Sequence, residues 1–319
     1  AADVPVLNTV NGKGICPKGH PLAVGGSPSL PSLNQALRDA DLVLAIGTEL
    51  AETDYDLLMA GGLPDTSKWI RMDIDPGRLL VPGVPMLAIT TDAALGCAAL
   101  TAALNTGSRD STSDNPANGA QRAAQLREAV TQEEHYHPDI TNFFAALYRA
   151  NEDLILVGDS ARPTYYAAWQ LETDAPGRYF HSASGFGTLG YALPAALGAA
   201  AAGVGPVAAL IGDGGLQFTL PELTTGAQAQ LAVPILVWNN FGYAEIENSM
   251  SAQQVPVDST RILTPDFQQA AAAHRCHYHQ PASLDELTTC LQTAFQADAP
   301  TVIELLEADF LSDPSGGWY

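Results

Sequence analysis

The sequence predicts an α/β protein built from two doubly wound parallel-sheet domains, and three observations carry the prediction. Short apolar runs of the kind found in strands covered on both faces alternate with helical stretches. The 319 residues exceed one ordinary domain and fit about two of ~150 residues each. Between the two halves lies NTGSRDSTSDNPANG (105–119), rich in Ser, Asn, Asp and Gly and nearly devoid of apolar side chains, which reads as a linker. The boundaries are therefore drawn at 1–105, a linker with a connecting helix at 106–137, and 138–319.

In the first domain, DVPVLNTV (3–10) reads as a short buried strand that NGKG turns back. A helix is expected over 33–40. DLVLAIGT (41–48) is an apolar run ending in Gly-Thr, as parallel strands of α/β layers do. KWIRMDIDP (68–76) is a strand closed by Pro76, VPMLAIT (84–90) is another, and DAALGCAALTAAL (92–104) is a helix. A polar helix over 120–134 follows the linker. The second domain opens with a helix over 139–150, with Asp139 or Thr141 expected as its cap. Strands are expected at 153–159, 206–214, 233–240 and 300–309, and helices at 221–231, 265–274 and 283–296.

Composition narrows the function classes. Hydrophobic residues make up 46% and charged residues 15%, enough to build large cores and to exclude global disorder. Fourteen Lys and Arg stand against 35 Asp and Glu, a net charge of −21 that argues against nucleic acid and anionic membrane as partners. No apolar run reaches the ~18–20 residues that span a bilayer. The opening AADVPVLNTV has no basic segment before an apolar core, so it is not read as a signal peptide. Cys16, Cys97, Cys276 and Cys290 stand far apart with no CxxC, which favours a cytoplasmic protein with reduced thiols over a zinc knuckle or a disulfide framework.

The strongest chemical signal is GDGGLQF (212–218), followed 26 residues after Asp213 by Asn239-Asn240. Each half ends an apolar strand, and ligands of open α/β sheets bind at that end. Asp213 offers a hard anionic oxygen, Asn240 a neutral carbonyl oxygen, and the Gly242 backbone carbonyl a third. Three protein oxygens leave room for phosphate oxygens around an octahedral Mg²⁺. Gly214 and Gly215, after Gly212, let backbone amides approach a phosphate at the start of the following helix.

On these residues the chain resembles the thiamine diphosphate-dependent enzymes of the acetolactate synthase, pyruvate oxidase and benzoylformate decarboxylase superfamily, whose motif is GDG, about 25–30 residues, then NN. VLNTVNGKG, HPLAVG (20–25), ADLVLAIGTEL (40–50) and MDIDP (72–76) fall in the family's order for its central domain. GFGTLGYALPAALGAA (185–200) is similar to a segment that precedes GDG. The resemblance implies thiamine diphosphate and Mg²⁺ as cofactors, with Asp213, Asn240 and Gly242 as metal ligands. It also implies that Gly187 and Thr188 lie near the cofactor and that Leu189 wedges beneath the thiamine. Bending the cofactor brings its 4′-amino group against C2, and proximity makes the proton transfer effectively intramolecular.

The resemblance further implies that the central domain is truncated at its start. The N-terminal pyrimidine-binding domain, which carries the activating glutamate, is then a missing partner. A chain of this extent holds no catalytic acid–base group of its own and turns over little alone. Shared active sites imply a homodimer or homotetramer.

One segment departs from the acetolactate synthases. Their pattern resembles G-M-V-R-Q-W, whereas this chain reads Gly242-Tyr243-Ala244-Glu245-Ile246-Glu247. Two carboxylates in place of Arg and Trp suit a guanidinium, which pairs with them as a bidentate fork. The reading is a decarboxylase of a small 2-oxo acid such as 5-guanidino-2-oxopentanoate, with Glu245 or Glu247 at the substrate's far end. The alternative is that they are solvated helix-surface residues; a spacing of two also keeps them off a common face, so at most one of them reaches substrate. Two further alternatives stand: an acetolactate synthase-like carboligase, and a non-catalytic remnant that only binds the cofactor. Asp73 and Asp75 end a strand where some family members bind a flavin nucleotide. The run AHRCHYH (273–279) reads as a helix end and strand start rather than a metal site, and His135 and His137 are read in the same way.

Overall fold

The computed structural model describes residues 2–51, 65–106, 118–134 and 136–313. Contacts divide the chain into two compact units, Ala1–Glu134 and His135–Tyr319. The polar helix read as a connector belongs by its contacts to the first unit.

The first unit contains α1 (Pro31–Asp39), β1 (Val43–Ile46), β2 (Trp69–Asp73), β3 (Leu87–Thr90), α2 (Ala93–Thr106) and α3 (Gly119–Thr131). Its three strands form a parallel sheet in the order β1-β2-β3. Pro31 starts α1 at a position where a missing N–H costs nothing, and the Asn118 side chain caps α3 by accepting from the Gln121 N–H. The strand expected over 3–10 is not formed. Only Val6 bridges Ala23, through Val6 N–H to Leu22 O at 2.8 Å and Val24 N–H to Val6 O at 3.0 Å. Pro5 has no N–H to extend that ladder.

The second unit contains α4 (Pro138–Ala150), β4 (Ile155–Gly158), α5 (Arg162–Gln170), β5 (Tyr179–His181), α6 (Ala192–Ala201), β6 (Val207–Gly212) and α7 (Asp213–Thr219). It continues with α8 (Glu222–Gln228), β7 (Pro234–Asn239), α9 (Ala244–Ala252), α10 (Phe267–Ala273), β8 (His277–His279), α11 (Leu284–Ala294), β9 (Thr301–Leu306) and α12 (Glu307–Phe310). Six parallel strands run in the order β5-β4-β6-β7-β9-β8. Alternate residues feed opposite cores, because side chains on a strand have a period of two. Ile155, Val157, Ala209, Ile211, Ile235 and Val237 pack with Leu193, Leu197 and Phe267. Trp238 points to the other face, where its ring meets Phe143 of α4 at 5.4 Å and Phe310 of α12 at 6.2 Å. Both faces are covered, as the continuous apolar runs required.

The cap expected for α4 is corrected. His137 occupies the cap position with Pro138 behind it, and Asp139 instead accepts from Ser312 N–H at 2.9 Å and Ser312 Oγ–H at 2.6 Å. Those two bonds hold the Asp139 carboxyl below its ordinary range.

Candidate functional site

Strand order locates the crevice before any side chain is considered. From β4 the chain goes to β5 on one side and then to β6 on the other. The carboxyl ends of β4 and β6 therefore flank a topological switch point, where such sheets bind ligands. Register does the rest. Gly212 pairs with Trp238 and Asn239 pairs with Leu306, so Asp213, Asn240 and Glu307 leave three neighbouring strands at one edge.

Asp213 is 1% exposed. Burial pushes its carboxyl up to about 6, and the N–H groups of Gly214, Gly242 and Asn240 pull it back. Its Oδ2 is buried and accepts no hydrogen bond. Asn240 repeats the pattern: Nδ2 donates to Glu307 Oε2 at 3.3 Å, while Oδ1 is buried without a donor. Two unpartnered hard acceptors at adjacent strand ends cost free energy unless something electropositive meets them. That donor set fits a hard divalent cation. Among the described residues, no group of three or more His, Cys, Asp and Glu side chains is placed to hold a metal, so any cation here draws on one carboxylate, an amide and backbone oxygen.

Gly242 bridges Arg261 in antiparallel fashion, and Tyr243 N–H donates to Thr260 O at 2.8 Å. A Cβ on Gly242 would sit 2.4 Å from Thr260 O, so only glycine allows this approach. At Gly214 a Cβ would sit 2.6 Å from the Tyr243 ring, which packs the 213–215 turn against the 240–243 turn.

The GFGTLGY segment is anchored at both ends. Gly187 N–H donates to Ser182 O at 3.1 Å and has φ +63°, a conformation that favours glycine. Thr188 is exposed and Leu189 half-buried. Thr219 Oγ donates to Gly190 O at 2.9 Å.

Three residues of this edge were not read from the sequence. Asp159 directly follows β4 and is fully buried; its Oδ1 accepts from Ser160 N–H at 2.9 Å and its Oδ2 from Ala192 N–H at 3.1 Å. Burial pushes it up to about 6, against N–H groups from residues 190–192 and Ser160. Arg162, 3% exposed, pairs with Glu245 and places Nη1 2.9 Å from Glu307 Oε1. Glu307 Oε2 also accepts from Trp238 Nε1–H at 2.6 Å. One signal was available: β4 and β6 both end in a glycine followed by an aspartate, VGD and IGD.

Both departing glutamates already face guanidinium groups of the chain. Glu245 holds Arg162, and Glu247 Oε1 lies 2.9 Å from Arg261 Nη2. The Arg162 pair is buried, whereas the Arg261 side chain is 71% exposed. Other sequence candidates lie elsewhere. His277 pairs with Asp298 at 2.9 Å, and His274 Nδ1 lies 2.6 Å from Thr224 Oγ. Asp73 and Asp75 line a cavity of about 350 Å³ in the first unit with Gly47, Glu49, Arg78 and Asp92. His135 lies outside the described residues.

Fold and site thus define a doubly wound ligand-binding domain, its crevice lined by hard oxygen acceptors, in a chain that also carries a small parallel-sheet unit. Residues 159–305 match the thiamine pyrophosphate enzyme C-terminal TPP-binding domain, and residues 1–100 match the central domain of the same enzymes. The chain belongs to the thiamine pyrophosphate (thiamine diphosphate) enzymes, of which it carries the central and C-terminal domains. It is 34% identical over 307 residues to a probable 2-ketoarginine decarboxylase of Pseudomonas aeruginosa, covering 95% of this chain and 54% of that protein. It is 26% identical to the acetolactate synthase isozyme 2 large subunit of Escherichia coli (96% of this chain, 55% of the relative). It is 25% identical to the oxalyl-CoA decarboxylase of Escherichia coli (99% and 55%). The chain spans about half the length of these curated relatives. Among the described residues, no helix is long and apolar enough to cross a membrane.

Proposed function

We propose that the chain supplies the diphosphate- and metal-binding half of a thiamine diphosphate- and Mg²⁺-dependent decarboxylase of a 2-oxo acid, with 5-guanidino-2-oxopentanoate (2-ketoarginine) as substrate. The observation that carries the metal assignment is the pair of buried, donorless oxygens, Asp213 Oδ2 and Asn240 Oδ1. Asp213, Asn240 and the Gly242 carbonyl would hold the cation, and Gly212, Gly214 and Gly215 would offer backbone to the diphosphate. Gly187, Thr188 and Leu189 would border the thiamine. When bound, thiamine diphosphate supplies a nucleophilic carbon and an electron sink for the departing CO₂. The chain's own residues orient and shield: Asp213 supplies anionic charge, Asn240 a neutral oxygen, and Asp159 ties the 190–192 backbone to β4.

Substrate choice rests on the relative at 34% identity, named for 2-ketoarginine. Of the two glutamates, Glu247 is the better candidate for the substrate guanidinium. An exposed ion pair such as Glu247–Arg261 is worth about 1 kcal/mol or less, so exchanging its partner costs little. Glu245 is committed to buried Arg162. The activating glutamate, a pyrimidine-binding domain and a homodimer or homotetramer complete the proposed enzyme.

The test is aldehyde formation by the full-length protein with thiamine diphosphate and Mg²⁺, from 5-guanidino-2-oxopentanoate and from pyruvate in parallel. Preference for the guanidino acid is expected. Preference for pyruvate with an acyloin product would return the chain to carboligation.

A further inference from the structure

We infer that Glu307, held in place by Arg162, is a positioning residue that presets Asn240 as a cation ligand. The inference rests on the reading that Asp213 and Asn240 hold the metal.

An Asn side chain has two ends of similar shape, a donor and an acceptor, and its surroundings decide which end faces a site. Here the decision is electrostatic. Glu307 lies beside Asn240 because β9 pairs with β7 at Leu306–Asn239. Its Oε2 takes the Asn240 Nδ2–H at 3.3 Å and the Trp238 Nε1–H at 2.6 Å. Its Oε1 takes Arg162 Nη1–H at 2.9 Å, so both oxygens of the carboxylate serve as acceptors. Turning the amide over would set Asn240 Oδ1 against that carboxylate, acceptor against acceptor. Oδ1 is therefore held away from Glu307, and it is the atom left without a donor.

The neighbouring pair shows the contrast. Asn239 Nδ2 donates to Glu304 Oε1 at 2.6 Å, but Asn239 Oδ1 already accepts Phe241 N–H at 3.0 Å. Two consecutive asparagines each lean on a glutamate of β9 or its end. One closes on itself, and only Asn240 keeps an open acceptor. Arg162 begins α5, directly after the switch-point strand, so the pair also ties β4 to the ends of β7 and β9.

The experiment measures Mn²⁺ affinity by electron paramagnetic resonance in the full-length protein at saturating thiamine diphosphate, with Tm recorded for each variant. Partners that orient metal ligands typically contribute 10–100-fold in affinity. Glu307→Gln is expected to weaken Mn²⁺ by about that factor. Glu304→Gln, at a similarly buried position in β9 three residues before Glu307 and bonded to Asn239, is expected to lower Tm with Mn²⁺ affinity unchanged. Glu307→Asp keeps a charge for Arg162 but, one methylene shorter, gives up the bond to Asn240; it shows the same weakening and serves if Glu307→Gln fails to fold. Equal Mn²⁺ affinity in the Glu307 variants and the wild type overturns the inference. So does an equal loss in Glu304→Gln, which would mark a merely structural role. Asp213→Asn binding Mn²⁺ as tightly as wild type would instead overturn the reading of the metal site itself.

Discussion

Gly242→Ala is the smallest change that tests the 240–243 turn. The added Cβ would fall 2.4 Å from Thr260 O and 3.4 Å from Arg261 Cα, both backbone atoms. Close carbon–oxygen contacts stop at about 3.3 Å, so the overlap is about 1 Å. No flexible side chain can yield, because the opposing segment is pinned by Tyr243 N–H to Thr260 O at 2.8 Å. Relief requires prying that bridge open. The loss of one hydrogen bond, about 1 kcal/mol, adds to an overpacking cost of about 1–3 kcal/mol. A total of about 2–4 kcal/mol lowers the Tm of a unit this size by about 5–15 °C. Gly198→Ala provides the control. That glycine lies in α6 with nothing within 4 Å of its Cβ position, so the same methyl raises stability by about 0.5–1 kcal/mol. Differential scanning fluorimetry of both variants reads the sign directly. Mg²⁺ titration should also show weaker binding in Gly242→Ala, since Asn240 lies two residues before the displaced backbone. Equal Tm values for the two variants, or Gly242→Ala within 1 °C of wild type, would refute the packing argument.

Two further outcomes are expected. Asp159, raised by burial from 3.8 to about 6, binds its proton more tightly folded than unfolded, so its contribution to stability is present below pH 4 and is lost as pH rises through 6, about 3 kcal/mol in all. Urea unfolding from pH 4 to 7 should show that decline, and Asp159→Asn should remove its share of the slope; an unchanged slope would mean the carboxyl is not perturbed. Phe143→Ala empties the ring cluster against Trp238, Phe144 and Phe310, all buried, and should cost about 3–5 kcal/mol in denaturant unfolding, whereas a loss under 1 kcal/mol would mean the pocket collapses around the gap.

The sequence made some elements plain and hid others for physical reasons. Strands β6, β7 and β9 are buried on both faces, so their apolar runs are continuous and short-range pattern suffices. Edge strand β5 has three residues and α5 reads RPTYYAAWQ, neither long nor periodic enough to register. Residues 3–10 show the converse failure: apolar alternation without a partner strand yields one bridge. At the site, Asp213 and Asn240 were legible because a fixed spacing and two strand ends reported them. Arg162 and Glu307 were not, since 145 residues separate a pair that only parallel register brings together. Glu245 and Glu247 illustrate a further limit. Their departure from the acetolactate synthase pattern suggested carboxylates suited to a substrate guanidinium, and in the structure Arg162 and Arg261 of the chain itself already pair with them.

The two Gly-Asp strand ends explain why residue type alone cannot assign a role. Asp159 and Asp213 follow apolar strands, lie at neighbouring positions of one sheet edge, are 0% and 1% exposed, and are both pushed up to about 6 by burial. They differ in accounting for their oxygens. Asp159 has a donor on each, so its charge is spent on holding the 190–192 backbone against β4. Asp213 receives N–H groups on its turn and leaves Oδ2 bare, and Asn240 at the neighbouring strand end leaves Oδ1 bare. A buried acceptor without a donor costs free energy, and two at adjacent strand ends make an edge that a bound cation would stabilise. Stability of the second unit should therefore rise with Mg²⁺ and thiamine diphosphate by mass action, with the gain tracking ligand concentration over the dissociation constant. In Asp213→Asn the anionic oxygen is gone and the cost of burying a charge with it, so that ligand-dependent gain should vanish while the ligand-free unit melts no lower than wild type.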